Sequence, residues 1–248
     1  SLASHELRTA LSIIKWYTEM LLGGDCGPLS NDQIKYLKTI DGSNQRAIGL
    51  IKSILNVSRL NLGTFCINPT EIDLRLVVKE ILNENKVQID EKKIVVKEEY
   101  IGTIPGLITT LEIDKQIATV IMRHVIANAI SFSKEGGEVH VKIVETKQNE
   151  IVANTTIKED SLIVSVSDSG IGIPVGEQEK MFSPLFKASN VNDSGGGGSG
   201  MGLCMVRLIV SKVGGEIWFT SEVNKGSTFY VAFPKSGMVK KVGRTSLD

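Results

Sequence analysis

The 248-residue chain has only three cysteines, Cys26, Cys66 and Cys204. They are far apart, odd in number and never spaced C-x-x-C, which excludes a disulfide framework and a cysteine zinc site and fits a reducing cytosol. No apolar run reaches the roughly eighteen residues of a membrane span, and no charged, apolar, small-residue leader precedes the body. Charge of one sign is also missing. Lys+Arg and Asp+Glu number 28 each, so no general field draws in nucleic acid or an anionic membrane. There is no internal repeat, no G-x-x-x-x-G-K-[ST] phosphate loop and no His-Arg-Asp catalytic loop. Gly195 to Gly200 formally matches G-x-G-x-x-G, but it follows a polar loop rather than a strand and so lacks the context of a dinucleotide fold.

What is present is 42% apolar and 23% charged, enough for one large or two modest globular domains. Leu2, Leu7, Leu11, Ile14 and Leu21 fall at helical spacings until Gly23-Gly24, predicting one amphipathic helix over 2–22. Ser30 can cap a second helix whose stripe, Leu37, Ile40, Ala47, Ile48, Ile51 and Leu55, runs to about Leu60. Gly42 and Gly49 within it suggest close helix approach. Two helices cannot enclose a core, so the hairpin is expected to pair with a copy of itself in a dimeric four-helix bundle.

After Leu62-Gly63-Thr64 helices and strands alternate. Helices are expected over 74–82, 115–132 and 201–213, with strands near 94–96, 111–113, 139–143 and 162–166 and a hairpin over 216–233. The polar stretch 147–160 is long for a tight turn. This pattern predicts an α+β two-layer sandwich. The divisions read as a helical hairpin over 1–63, a linker over 64–72, the sandwich domain over 73–235 and a flexible tail over 236–248. The chain opens inside a helical pattern, so a preceding region is expected to carry any membrane anchor or sensor, and this part is expected to be a cytoplasmic fragment.

Several residues suit phosphoryl chemistry. His5 lies among Ser4, Glu6 and Arg8, too polar a setting for a core. A neutral imidazole can attack phosphorus while Glu6 accepts its proton, although a surface histidine is often only that. Thr9, one turn on, could orient a water. Asn128 in an apolar helix offers a hard amide oxygen for Mg²⁺, or a buried structural amide. His124 is one turn earlier. Asp168 follows a strand directly, with Gly170 and Gly172 permitting a sharp turn against a flat base. Its carboxylate can accept a hydrogen bond from an exocyclic amine, although Asp-x-Gly also serves as an ordinary Asx turn. Gly198, Gly200 and Gly202 precede a helix whose N-terminus can cradle a polyphosphate.

Taken together and in this order, the motifs resemble the sensor histidine kinases of two-component signalling, with a nucleotide-binding part similar to gyrase B, Hsp90 and MutL. The resemblance runs from Ser4 to about Pro234. It implies that Ser4 to Thr9 is a phosphoacceptor box, with His5 phosphorylated, Glu6 its proton acceptor and Thr9 a participant in phosphatase activity. It implies Asn128 as the Mg²⁺ ligand in an N box and Asp168 to Gly172 as a G1 box contacting adenine. Phe182 to Phe186 resembles an F box, followed by Lys187 near the terminal phosphate. Gly198 to Leu203 resembles a G2 box at the base of an ATP lid, and Thr228 supports the adenine site from the closing strand. The implied activity is ATP-dependent autophosphorylation of a homodimer, then transfer to an aspartate of a response regulator, with no nucleic acid and no membrane contact in this segment. Ala10 replaces a usual Pro, which removes a kink. His124 stands where Asn is usual and Ser131 where Lys or Arg is frequent, so lower nucleotide affinity or turnover is expected. An ATP-driven clamp of the gyrase and Hsp90 type would want a Glu at 124 and has no use for His5. A nucleotide-binding scaffold without kinase activity is the remaining alternative.

Overall fold

A computed structural model describes residues 2–62, 65–101, 109–191 and 199–243. The chain forms two compact units, residues 1–58 and 59–248.

The first unit is a hairpin of α1 (Leu2–Gly23) and α2 (Asn31–Asn61). Two glycines with left-handed φ, Gly24 and Gly27, turn the chain between them. Ser30 and Gln33 form a reciprocal capping box at the start of α2. Gln33 N donates to Ser30 Oγ (3.3 Å), and Ser30 N donates to Gln33 Oε1 (2.8 Å). Buried Asn44 ties the helices together, its amide donating to Leu11 O at 2.9 Å. Gly49 faces open space and Gly42 meets only Arg46, so neither marks a close approach within the hairpin. Much of the apolar stripe stays exposed, including Leu7, Ile13, Ile14, Trp16, Tyr17, Ile40 and Ile54.

The second unit has the expected two layers. A five-stranded sheet runs in the order β2 (Val95–Ile101), β4 (Glu138–Thr146), β7 (Ser161–Asp168), β9 (Gly226–Pro234), β8 (Glu216–Glu222). Only β2 and β4 are parallel. The helices α3 (Leu74–Glu84), α5 (Lys115–Phe132) and α6 (Gly202–Lys212) make the other layer, α5 packing on β7, α6 on β8 and α3 on α5, with the short helix α4 (Lys86–Glu91) following α3. Val139, Val141 and Ile143 of β4, Leu162, Val164 and Val166 of β7, and Phe229, Val231 and Phe233 of β9 alternate into the core. Each contributes about 1.5–3 kcal/mol by burial. Helix α5 packs on β7 and buries Ile117, Ile121 and Val125 among its apolar residues. A small hairpin, β5 (Ile151–Val152) and β6 (Thr155–Thr156), fills the polar stretch between β4 and β7.

Two expectations about the edges of this unit are corrected. Of the stretch 64–72 read as a linker, the described residues, 65–72, are tied into the unit. β1 (Thr70–Asp73) pairs antiparallel with β3 (Thr110–Ile113), and Phe65 and Ile67 are buried, two residues apart as on a strand. Nor is 236–243 a free tail. Met238 is buried, its N–H bonded to Glu112 O at 2.9 Å, and Lys241 pairs with Ile67. The remaining tail residues, 244–248, lie outside the described residues.

Candidate functional site

Alternation along β7 puts Leu162, Val164, Val166 and Asp168 on the face turned toward the helices. Asp168 is therefore the carboxylate at the end of an apolar row. Its Oδ1 accepts from Gly170 N (2.8 Å) and Ser227 N (3.3 Å). Burial dominates over these two bonds and pushes the carboxyl up to about 6.

The turn after Asp168 needs its glycines for space. A Cβ at Gly170 would fall 2.3 Å from Phe132 O, and one at Gly172, with φ of +65°, would fall 2.1 Å from Glu222 O. Gly170 thus locks the turn onto the C-terminal end of α5, and Gly172 onto the β8–β9 turn. Asn190 Nδ2 adds a bond to Gly172 O at 2.9 Å.

Helix α5 carries the rest. Asp114 caps its start, accepting from Gln116 N and Ile117 N. At its other end Lys92 Nζ donates to the carbonyls of Ile130, Ser131 and Ser133 over 2.5–3.2 Å. His124, Asn128 and Phe132 are four residues apart and share one face, about 6 Å per step. His124 Nδ1 lies 3.0 Å from where a Cβ of Gly202 would sit, so this end of the face meets the start of α6. Phe132 meets Gly170 at the other end. Asn128 lies between them, half-buried, and among the described residues its amide has no hydrogen-bond partner. Desolvation, with Arg123 adding to it, lowers the His124 pKa to about 4, leaving the ring neutral at pH 7.

Gly200, with φ of +71°, packs against the backbone of Leu185 and Phe186, which sets the exposed Lys187 beside this glycine loop. The N-cap of α6, Met201, makes no side-chain capping bond, while its own N–H donates to Ser199 Oγ at 3.3 Å. Phe182 packs on Phe219 with the Arg207 guanidinium over its ring.

Gly170, bonded to Asp168, and Gly202 therefore lie against α5, at the Phe132 carbonyl and at His124, with Asn128 one turn from each, whereas Gly172 is held at the β8–β9 turn and Gly200 at Leu185 and Phe186, next to Lys187. Thr228 lies apart. Register pairs it with Ser167, to which its hydroxyl is hydrogen-bonded at 2.8 Å on the opposite face of the sheet. The residue across from Asp168 is Ser227, whose hydroxyl lies 2.9 Å from that of Ser221. Counting back by two from Phe233, Val231 and Phe229 reaches Ser227, the signal that identifies it. Gly198 lies outside the described residues. His5, Glu6 and Thr9 fall early in α1, in the other unit; Glu6 and Thr9 are exposed, and the side chain of His5 is outside the described part. No cluster of three or more His, Cys, Asp and Glu able to hold a metal occurs among the described residues. No described helix is long and apolar enough to cross a membrane.

The family model for the histidine kinase-, DNA gyrase B-, and HSP90-like ATPase matches residues 113–237, and that for the His Kinase A (phospho-acceptor) domain matches 1–63. The chain is 28% identical to the circadian input-output histidine kinase CikA of Synechococcus elongatus over 99% of this chain and 31% of that protein. It is also 28% identical to the sensor histidine kinase WalK of Bacillus subtilis, over 93% of this chain and 35% of that protein. It thus spans about a third of the length of these curated relatives. Among solved structures, full-length ShkA in complex with AMPPNP superposes with a TM-score of 0.72 at 19% identity, covering 98% of this chain and 46% of that one. ThkA in complex with the response regulator protein TrrA gives 0.62 at 22%, covering 94% and 60%. At these identities the likeness to both structures is one of fold. With about half of its length matched by the ATPase model and its hairpin by the phospho-acceptor model, the chain belongs to the sensor histidine kinases of the histidine kinase, gyrase B and HSP90-like ATPase family.

Proposed function

We propose that the chain transfers the γ-phosphoryl group of ATP to His5 and then to an aspartate on a response regulator. The observation that carries this is the single face of α5 that joins Gly202 at His124 to Gly170 at Phe132, with the Asn128 amide between them. Asp168 would accept from the adenine amine, with Ser227 rather than Thr228 supporting its carboxylate. The uncapped start of α6, Gly200 and Lys187 would hold the phosphates. Asn128 would hold Mg²⁺, which would supply charge neutralisation at the phosphates.

The His5 ring nitrogen attacks the γ-phosphorus, the bond to the ADP oxygen breaks, and Glu6 takes the ring proton. The protein's part is positioning and charge stabilisation. ThkA is described in complex with a response regulator, which supports a receiver aspartate as the next acceptor; Thr9 would orient the water of a phosphatase reaction. The exposed apolar stripe of the hairpin supports a homodimer. The clamp-like ATP hydrolase is less well supported, since it leaves the hairpin without a role and His124 is a neutral imidazole where it needs a carboxylate.

The test is incubation with γ-labelled ATP and Mg²⁺ and recovery of an acid-labile, base-stable protein adduct. His5→Gln abolishes the label without affecting ATP affinity, whereas Asn128→Ala abolishes it by removing Mg²⁺-dependent binding. Label persisting in His5→Gln would overturn the assignment.

A further inference from the structure

We propose that Asn190 is a positioning residue: its side-chain amide fastens the segment carrying Lys187 to the Gly172 turn, and so fixes that cation relative to a bound base. This rests on the nucleotide reading given above, in which Lys187 meets the phosphates and the turn meets the adenine.

The two segments are held differently. Ile171 to Ile173 are pinned from β8 and the turn after it: Asn224 N donates to Ile171 O at 2.9 Å, Gly172 packs on Glu222, and Ile173 N donates to Ser221 Oγ at 2.8 Å. Gln178 Nε2 adds bonds to Ile173 O at 3.0 Å and to Ser221 O at 3.2 Å. The turn is thus anchored without Asn190. The segment from Lys187 to Asn190, by contrast, belongs to no helix or strand. It is fastened by the buried Ala188, by Ser189 N, which donates to Glu177 Oε2 at 2.8 Å, and by Asn190 itself. Asn190 Nδ2 donates to Gly172 O at 2.9 Å and to Ile171 O at 3.4 Å, a direct tie between segment and turn.

The side chain is used as a donor only. Its Oδ1 is buried without a hydrogen-bond partner among the described residues, a cost that a residue serving merely to fill space would not carry. Lys187 lies three residues before Asn190, at most about 11 Å of chain away, so the tie limits how far this exposed lysine can stray. A cation fixed before binding spares the phosphate contact an ordering cost. Asn190 therefore acts through Lys187, and its effect belongs to the phosphate end of a nucleotide rather than to the base.

Variants of the whole chain test this. Asn190→Ala removes both bonds, and Asn190→Asp keeps the shape while setting a carboxylate against two carbonyls. In Asn190→Ala, trypsin should cut after Lys187 faster than in the wild-type chain, because the segment is freed. In both variants calorimetry should show ATP affinity falling about threefold to tenfold, while affinity for AMP, which lacks the outer phosphates, stays within about twofold and confirms folding. Lys187→Ala should lower ATP affinity by a similar factor. Lys187→Ala with Asn190→Ala should then lose little more than either alone, since both act through one contact. ATP and AMP affinities falling in step would overturn the role, as would a fully additive double variant or an unchanged cleavage rate. A wild-type chain that binds neither nucleotide, or a Lys187→Ala variant with ATP affinity intact, would sink the underlying nucleotide reading and this role with it.

Discussion

Two titratable residues at opposite ends of the α5 face are pushed in directions that offset each other. Asp168 is raised to about 6, so its folded state binds the proton more tightly than the unfolded chain, and its contribution to stability grows as pH falls from about 6 to about 4. His124 is lowered to about 4, so the unfolded chain binds the proton more tightly, and stability is lost as pH falls from about 6.5 to about 4. Each effect is on the order of 3 kcal/mol, and together they leave the domain nearly level across this window. Urea midpoints should reveal each separately. His124→Asn becomes more stable on acidification from pH 7 to pH 4, whereas Asp168→Asn becomes less so. At pH 7, Asp168→Asn also removes a buried charge, so it should stabilise the domain while abolishing ATP binding. A flat profile in both variants would mean that the two groups do not titrate as their burial requires.

Among the elements, α5 is fastened at both ends, by Asp114 at its start and by Lys92 at its end. Lys92 gives its ammonium to three carbonyls that the helix cannot satisfy for itself. Lys92→Met should cost about 1–3 kcal/mol in urea unfolding. Because Phe132 O rests against Gly170, ATP affinity should fall with it, and Lys92→Arg should recover part of both. No pattern in the sequence announces this contact, since Lys92 lies in a charged run and its role depends on where α5 ends. The elements that sequence reading missed share that property. Helix α4 buries none of its residues, and β1 is four residues long with no alternation. The tail is docked largely through backbone bonds, which leave no trace in side-chain periodicity. The long elements were legible because each buries an apolar row of fixed period. Asp168 was legible because it ends such a row. Thr228 was misplaced because two adjacent hydroxyls differ only in which face of the strand they occupy.

At the scale of the whole molecule, the two units differ in self-sufficiency. The ATP-binding unit closes its own core between sheet and helices, whereas the hairpin leaves Leu7, Ile14, Trp16, Ile40 and Ile54 exposed and buries polar Thr18, Asn44, Ser53 and Asn56. A two-helix layer of this kind reaches a stable core by pairing with a second copy, and a two-fold interface presents every substitution twice. Ile14→Asp with Ile54→Asp therefore removes apolar burial at four places in a dimer and introduces charge there. A loss of about 3 kcal/mol would already weaken association about a hundredfold. Sedimentation equilibrium should show a dimer for the wild-type chain and a monomer for the double variant. The variant should bind ATP with unchanged affinity, because Asn128, Asp168 and the loops proposed to hold ATP all belong to the other unit. Its label at His5 separates two routes. Retained labelling in the monomer means that each chain phosphorylates itself, whereas lost labelling with intact ATP binding means that the partner's ATP-binding unit supplies the phosphoryl group. A double variant that stays dimeric would show that a surface other than the hairpin stripe joins the copies.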